Sequence, residues 1–160
     1  MSDVHHYFAF GSNMNPARVR ERGLRVRRVR GASLHGYSLV FDKRSADHPR
    51  SGHANVVWDR GGIVEGVLYE LADGDEIRHM DPFERAPVNY SRDVVGVVVA
   101  EGPEQVLVPA WTYFANAAVR VTGARPEAAY MAHLLAGAPF LSDAYVARLR
   151  AWPLAGDDPS

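Results

Sequence analysis

Short apolar runs at alternating positions, cut by clusters of glycine, proline and charge, organise the first two-thirds of this 160-residue chain. HHYFAF at 5–10 is aromatic-rich and ended by Gly11, which predicts a strand. GSNMNP follows as a dense turn, with Asn15 as N-cap and Pro16 at the first position of a helix over 16–22 stopped by Gly23. From Leu24 to Trp58 the pattern favours strands, carried by Leu34, Tyr37, Leu39, Val40 and Phe41 and by residues 54–58, with a polar loop at 42–53. DRGG at 59–62 predicts a turn, and 63–71 another strand, in which Gly66 marks a bulge or a close approach. Caps and charges suggest a helix over 73–80, ended by Pro82. Strands over 90–100 and 105–114 come next.

The last third changes period. PEAAYMAHLL at 126–135 opens with proline and glutamate as a helix should, and 142–151 has Ser142 as N-cap with Tyr145, Val146, Leu149 and Trp152 on one face. The tail at 155–160 reads as frayed. Strands first, short helices inserted and two helices last predict an α+β fold around a mixed, largely antiparallel, barrel-like sheet. There is no linker, internal repeat or regular βα alternation, so one domain over 1–160 is expected.

Composition excludes more than it proposes. An apolar fraction of 47% with 23% charged residues suits an ordinary globular chain. Zero cysteines remove disulfides, thiolate nucleophiles and cysteine-bound zinc. The start lacks the basic segment and apolar run of a secretory signal, and no stretch reaches membrane-spanning length, so a cytoplasmic location and no membrane partner are expected. The net charge is −1, but seven arginines fall between Arg18 and Arg30. A nucleic-acid patch is one reading of that run. The simpler one is a solvated helix face followed by a strand with outward arginines, because no stacking aromatics interleave it. The seven histidines show no HExxH or HxH spacing, and there is no GxSxG, Walker or GxGxxG motif. No metal site is expected. Ser12, in a glycine-containing loop, is imaginable as a nucleophile but has no supporting signature.

Glu84 stands out among the acids. It follows a proline-broken turn in MDPFERAPVNY, among Met80, Phe83 and Tyr90. Partial desolvation there raises a carboxyl pKa and makes a proton shuttle; the competing reading is a surface glutamate paired with Arg85 or Arg92.

Five segments in order resemble γ-glutamylcyclotransferases. YFAFGSNM at 7–14 resembles their YFAYGSN signature, GVLY at 66–69 a core strand, and MDPFE at 80–84 an LDxxE segment ending in the catalytic glutamate. WTYFAN at 111–116 resembles a late strand carrying a tyrosine, and GAP before LSDAYVARLRAW the C-terminal helix. FGSNM is nearer the main branch than the YGSLM-like or YGTL loops of two related types, and Phe10 departs from it by lacking the tyrosine hydroxyl. The resemblance implies Glu84 as catalytic acid and base. It implies a substrate-binding set of Tyr7, Phe8, Ala9, Phe10, Gly11, Ser12 and Asn13, with Tyr90 and Tyr113 as hydrogen-bonding candidates. The implied reaction needs no cofactor: the α-amine of a small-molecule γ-glutamyl substrate attacks its own γ-carbonyl, giving 5-oxoproline and a free amine. A pathway-specific remover of γ-glutamyl groups and a non-catalytic binder of the same fold are the alternatives; no nucleic-acid partner is implied and a homodimer stays open.

Overall fold

A computed structural model describes residues 3–157. β1 (His6–Ala9) leads into a 3₁₀ turn (Ser12–Met14) and α1 (Pro16–Glu21). The Asn15 side chain accepts from Ala17 N at 3.2 Å, Pro16 occupies the first turn, and Gly23 ends the helix at φ 89°. That is the predicted cap chemistry at both ends.

β2 (Val26–Arg44) and β3 (Gly52–Leu71) form a long antiparallel hairpin, followed by the shorter hairpin of β4 (Tyr90–Glu101) and β5 (Glu104–Ala115). The strands close into a barrel in the order β1-β3-β2-β4-β5. Every neighbouring pair is antiparallel except β1 and β5, which meet in parallel at Tyr7 and Trp111. Closure removes free sheet edges. Strands of 19 and 20 residues can wrap such a barrel only by bending, and register shifts interrupt the β2–β3 ladder at three places.

Two of those shifts correct the sequence reading. DRGG at 59–62 is no hairpin turn. Trp58 pairs with Tyr37 and Ile63 with His35, so the extra residues bulge out of a continuing strand. The polar loop expected at 42–53 shrinks to 45–51, because the shift between Val40 and Lys43 carries β2 on to Arg44. This brings Lys43 opposite His53. The helix expected over 73–80 is a single 3₁₀ turn (Glu76–His79), anchored where buried Glu76 accepts from Arg25 N and its guanidinium. At Gly66 the close-approach reading is right: a Cβ there would lie 2.4 Å from Ala9 O.

α2 (Ala128–Leu135) and α3 (Asp143–Arg150) cover the barrel, burying Met131, Leu134, Tyr145, Val146 and Leu149. Ser142 caps α3 through Tyr145 N, while its own N–H and hydroxyl donate to Glu65 on β3. The core runs through Phe8, Leu68, Tyr69, Val97 and Leu134. Burying each large apolar side chain contributes about 1.5–3 kcal/mol. The tail expected to fray is tied by Ala155 N to Pro126 O as far as it is described; residues 158–160 lie outside the described part. Among the described residues, no helix is long and apolar enough to cross a membrane.

Candidate active site

Two segments remote in sequence meet at one end of the barrel. The first is the loop after β1, whose turn is set by Met14 N donating to Gly11 O and Asn15 N to Ser12 O. Tyr69 Oη donates to Asn13 O at 2.5 Å, fixing the loop to the barrel wall. Among the described residues, the N–H groups of Gly11 and Asn13 make no hydrogen bond. Gly11 is needed for space, since a Cβ would sit 3.0 Å from both Tyr130 Oη and Ala54 Cβ.

The second segment is the turn after buried Met80. Phe83 N and Glu84 N both donate to Met80 O. Asp81 is gripped by Arg92 at 2.8 and 3.1 Å and by Tyr113 Oη at 2.7 Å. Asn116 Nδ2 holds the far side of the turn through the carbonyls of Pro87 and Val88. With Asp81 fixed on one side, Glu84 turns inward.

Glu84 is neither exposed nor paired with Arg85 or Arg92. Its side chain is 16% exposed, and Oε1 accepts from Asn13 Nδ2 at 3.0 Å, with Arg22 Nη1 at 4.0 Å. Burial pushes its carboxyl above the usual carboxylate range, against the pull of Arg22, the Asn13 hydrogen bond, Lys43 and Arg18. The Asn13 amide is engaged at both ends: Nδ2 also donates to Tyr7 Oη at 2.9 Å, and Oδ1 accepts from Arg22 Nη1 at 2.9 Å. Tyr7 packs on Tyr69 and edge-on to Tyr113, and burial holds its phenol well above the ordinary range.

Around Glu84 lies a cavity of about 400 Å³. Tyr7, Phe8, Phe10, Gly11, Ser12 and Asn13 line it, with Tyr90 and Tyr113. Ala9 does not; its side chain ends at Cβ and is buried in the barrel. Tyr90 Oη donates to Ala54 O, as Tyr113 Oη does to Asp81, so each hydroxyl keeps only acceptor capacity. Among the described residues Ser12 Oγ makes no hydrogen bond to a histidine or carboxylate, the contact that would activate a serine nucleophile. Nor do those residues include a cluster of three or more His, Asp or Glu placed to hold a metal ion.

Sequence reasoning missed Arg18, Arg22, Lys43, His53 and Tyr130, all in the cavity wall. Arg18 and Arg22 were grouped with the solvated arginines, although their i, i+4 spacing just after the loop puts both on one helix face. Arg20, Arg25, Arg27 and Arg28 are exposed as expected, whereas Arg30 is largely buried and pairs with Glu101. Tyr130 reaches in from α2 to accept from Ala54 N at 2.9 Å, and His53 stacks on its ring at 4.5 Å. No local pattern announces either residue.

A family model described as gamma-glutamyl cyclotransferase, AIG2-like, matches residues 7–132. The chain belongs to the gamma-glutamyl cyclotransferase family. Solved structures agree on the fold. One called gamma-glutamyl cyclotransferase is 21% identical, covering 97% of this chain and 91% of its own, with a TM-score of 0.78. YkqA from Bacillus subtilis is 22% identical, covering 96% of this chain and 57% of its own, at 0.77. A yeast gamma-glutamyl cyclotransferase specific to glutathione is 12% identical, covering 90% of this chain and 93% of its own, at 0.58. No curated protein sequence matches. For the family member described here, the α+β barrel expected from sequence is the fold observed.

Proposed function

We propose that this protein is a cyclotransferase that converts a γ-glutamyl amino acid or amine to 5-oxoproline and the free amine, with Glu84 as the proton shuttle. The observation that carries the reading is a buried carboxylate at the edge of an open cavity, held at 3.0 Å by the asparagine of the loop after β1. Family membership supports the reaction class, and the geometry supports the assignment of roles.

The substrate's α-amine has a reference pKa of about 8 and is mostly protonated at neutral pH. Glu84 takes one of its protons. The freed amine attacks the γ-carbonyl carbon and closes a five-membered ring. As the bond from that carbon to the leaving nitrogen breaks, Glu84 returns its proton to that nitrogen. The second proton shed by the ring nitrogen also leaves with the amine, which departs as an ammonium ion. A raised carboxyl pKa suits both halves of this cycle, a contribution of roughly 10²- to 10⁴-fold.

The free N–H groups of Gly11 and Asn13 are the donors for the glutamyl end and for the oxyanion that develops at the γ-carbonyl. The acceptor capacity of Tyr90 and Tyr113 suits the ammonium. Curling the substrate so that its amine meets its own carbonyl adds more, since effective molarities reach about 10⁵ M or higher. The test is direct: incubation with a panel of γ-glutamyl compounds, measuring 5-oxoproline. Release from one or more supports the reading; none from any of them refutes it.

A further inference from the structure

Beside Glu84, the turn after Met80 carries a second carboxylate that the proposed reaction does not use. Asp81 is not part of the cavity lining; it stands behind Tyr113, which is. The β4–β5 register sets Arg92 opposite Tyr113, and both side chains converge on Asp81. Oδ1 accepts from Arg92 Nε at 2.8 Å and from Tyr113 Oη at 2.7 Å, while Oδ2 accepts from Arg92 Nη2 at 3.1 Å. The guanidinium lies 4.4 Å over the Trp111 ring, and the Asp81 carbonyl accepts from Ala86 N at 3.0 Å. Asp81 is held at both its backbone and its side chain.

This arrangement requires an acid. Both carboxylate oxygens accept, and a guanidinium only donates. An asparagine at 81 would set its NH2 group against an Arg92 N–H in either orientation of the amide. The consequence for the cavity runs through Tyr113. A phenol has one proton to donate, and Asp81 receives it. Burial, with Tyr7 and Asp81 beside it, holds the Tyr113 phenol well above its ordinary range, so the proton stays on the oxygen. What Tyr113 has left to offer a substrate is lone pairs. Without Asp81 the hydroxyl would be free to turn and present its proton, which repels an ammonium.

We infer that Asp81 is a positioning residue that fixes Tyr113 as an acceptor for the α-ammonium of the γ-glutamyl substrate. The inference rests on the cyclotransferase reading and adds a residue that does not itself touch substrate. Tyr113 thereby steers the nitrogen from which Glu84 takes a proton. It also packs edge-on to Tyr7 at 5.8 Å, and the Tyr7 hydroxyl accepts from the same Asn13 amide that holds Glu84. Acceptor and base are set by one connected wall.

The experiment pairs the γ-glutamyl compound turned over best with its glutaryl counterpart, which lacks only the α-ammonium and cannot cyclise. For γ-glutamyl-alanine that counterpart is glutaryl-alanine. KM is read for the first and the inhibition constant for the second, in wild type, Asp81→Asn, Tyr113→Phe and the double variant. Asp81→Asn should raise KM by about 10-fold, the scale of one hydrogen bond to a charged group, and leave the inhibition constant unchanged. Tyr113→Phe keeps the ring against Tyr7 and should do the same. The double variant should add nothing further, because both changes remove one contact. Thermal melting accompanies each assay; if Asp81→Asn does not fold, Tyr113→Phe carries the comparison. An unchanged KM, or an inhibition constant that rises in step with KM, overturns the positioning role and leaves the cyclotransferase reading standing. No 5-oxoproline from any γ-glutamyl compound overturns both.

Discussion

Asn13 Nδ2 donates to Glu84 Oε1 at 3.0 Å, joining the loop after β1 to a turn 71 residues further along the chain. The same amide holds Tyr7 and accepts from Arg22, so one buried side chain sets the direction of the proposed base. Asn13→Ala removes a donor that stabilises the ionised carboxylate. The acid limb of the kcat–pH profile should then move to higher pH, and kcat should fall by about 10²-fold, at the low end of what a displaced acid–base group costs. A profile that keeps its acid limb in place would disconnect Asn13 from the proton transfer.

Stability should carry the mark of the same burial. Glu84's folded pKa is raised above its unfolded value, so the stability it contributes is present below the unfolded value of about 4.3 and is lost as pH rises through the folded one. Glu84→Gln cannot ionise. Its Tm should exceed that of wild type at pH 7–8 and converge with it near pH 4. Equal Tm values at neutral pH would mean that the carboxylate is not held at a cost.

Gly11 tests the space given to the loop. A methyl at that position would press on Tyr130 Oη and Ala54 Cβ, both 3.0 Å away, and disturb the Tyr130 contact with Ala54 N. Gly11→Ala should cost about 1–3 kcal/mol by overpacking. It should also raise KM, read from denaturant melts and steady-state kinetics together. An unchanged KM would separate the loop from substrate.

Ser12 lines the cavity, and among the described residues no hydrogen bond or ion pair joins its hydroxyl to a histidine or a carboxylate. Ser12→Ala should therefore lower 5-oxoproline formation without abolishing it. Complete loss in a folded variant would restore a covalent mechanism.

How much of this was legible in the sequence depends on the range over which each feature is determined. Caps are local, and Asn15, Pro16, Gly23 and Ser142 behave as read. The bends that close the barrel are not local. DRGG has the composition of a turn, yet pairing of Trp58 with Tyr37 and Ile63 with His35 turns it into a bulge. Glu84 was visible as a residue, but its partner was not: Arg85 and Arg92 are near in sequence, whereas Asn13 and Arg22 arrive only by tertiary contact. Phe10, the departure from the family loop, is buried and lines the cavity, so the missing hydroxyl falls within reach of the site. Lys43 was hidden inside a segment read as a polar loop, and only the register shift before it makes it part of the wall.

The central claim is that Glu84 shuttles the proton in ring closure. Glu84→Gln keeps the side-chain volume and an oxygen able to accept from Asn13, so the fold should survive, as circular dichroism and melting would show. In a direct assay of 5-oxoproline from the best γ-glutamyl substrate, the variant should lose activity by at least about 10²-fold. Turnover close to wild type in that assay would contradict the account.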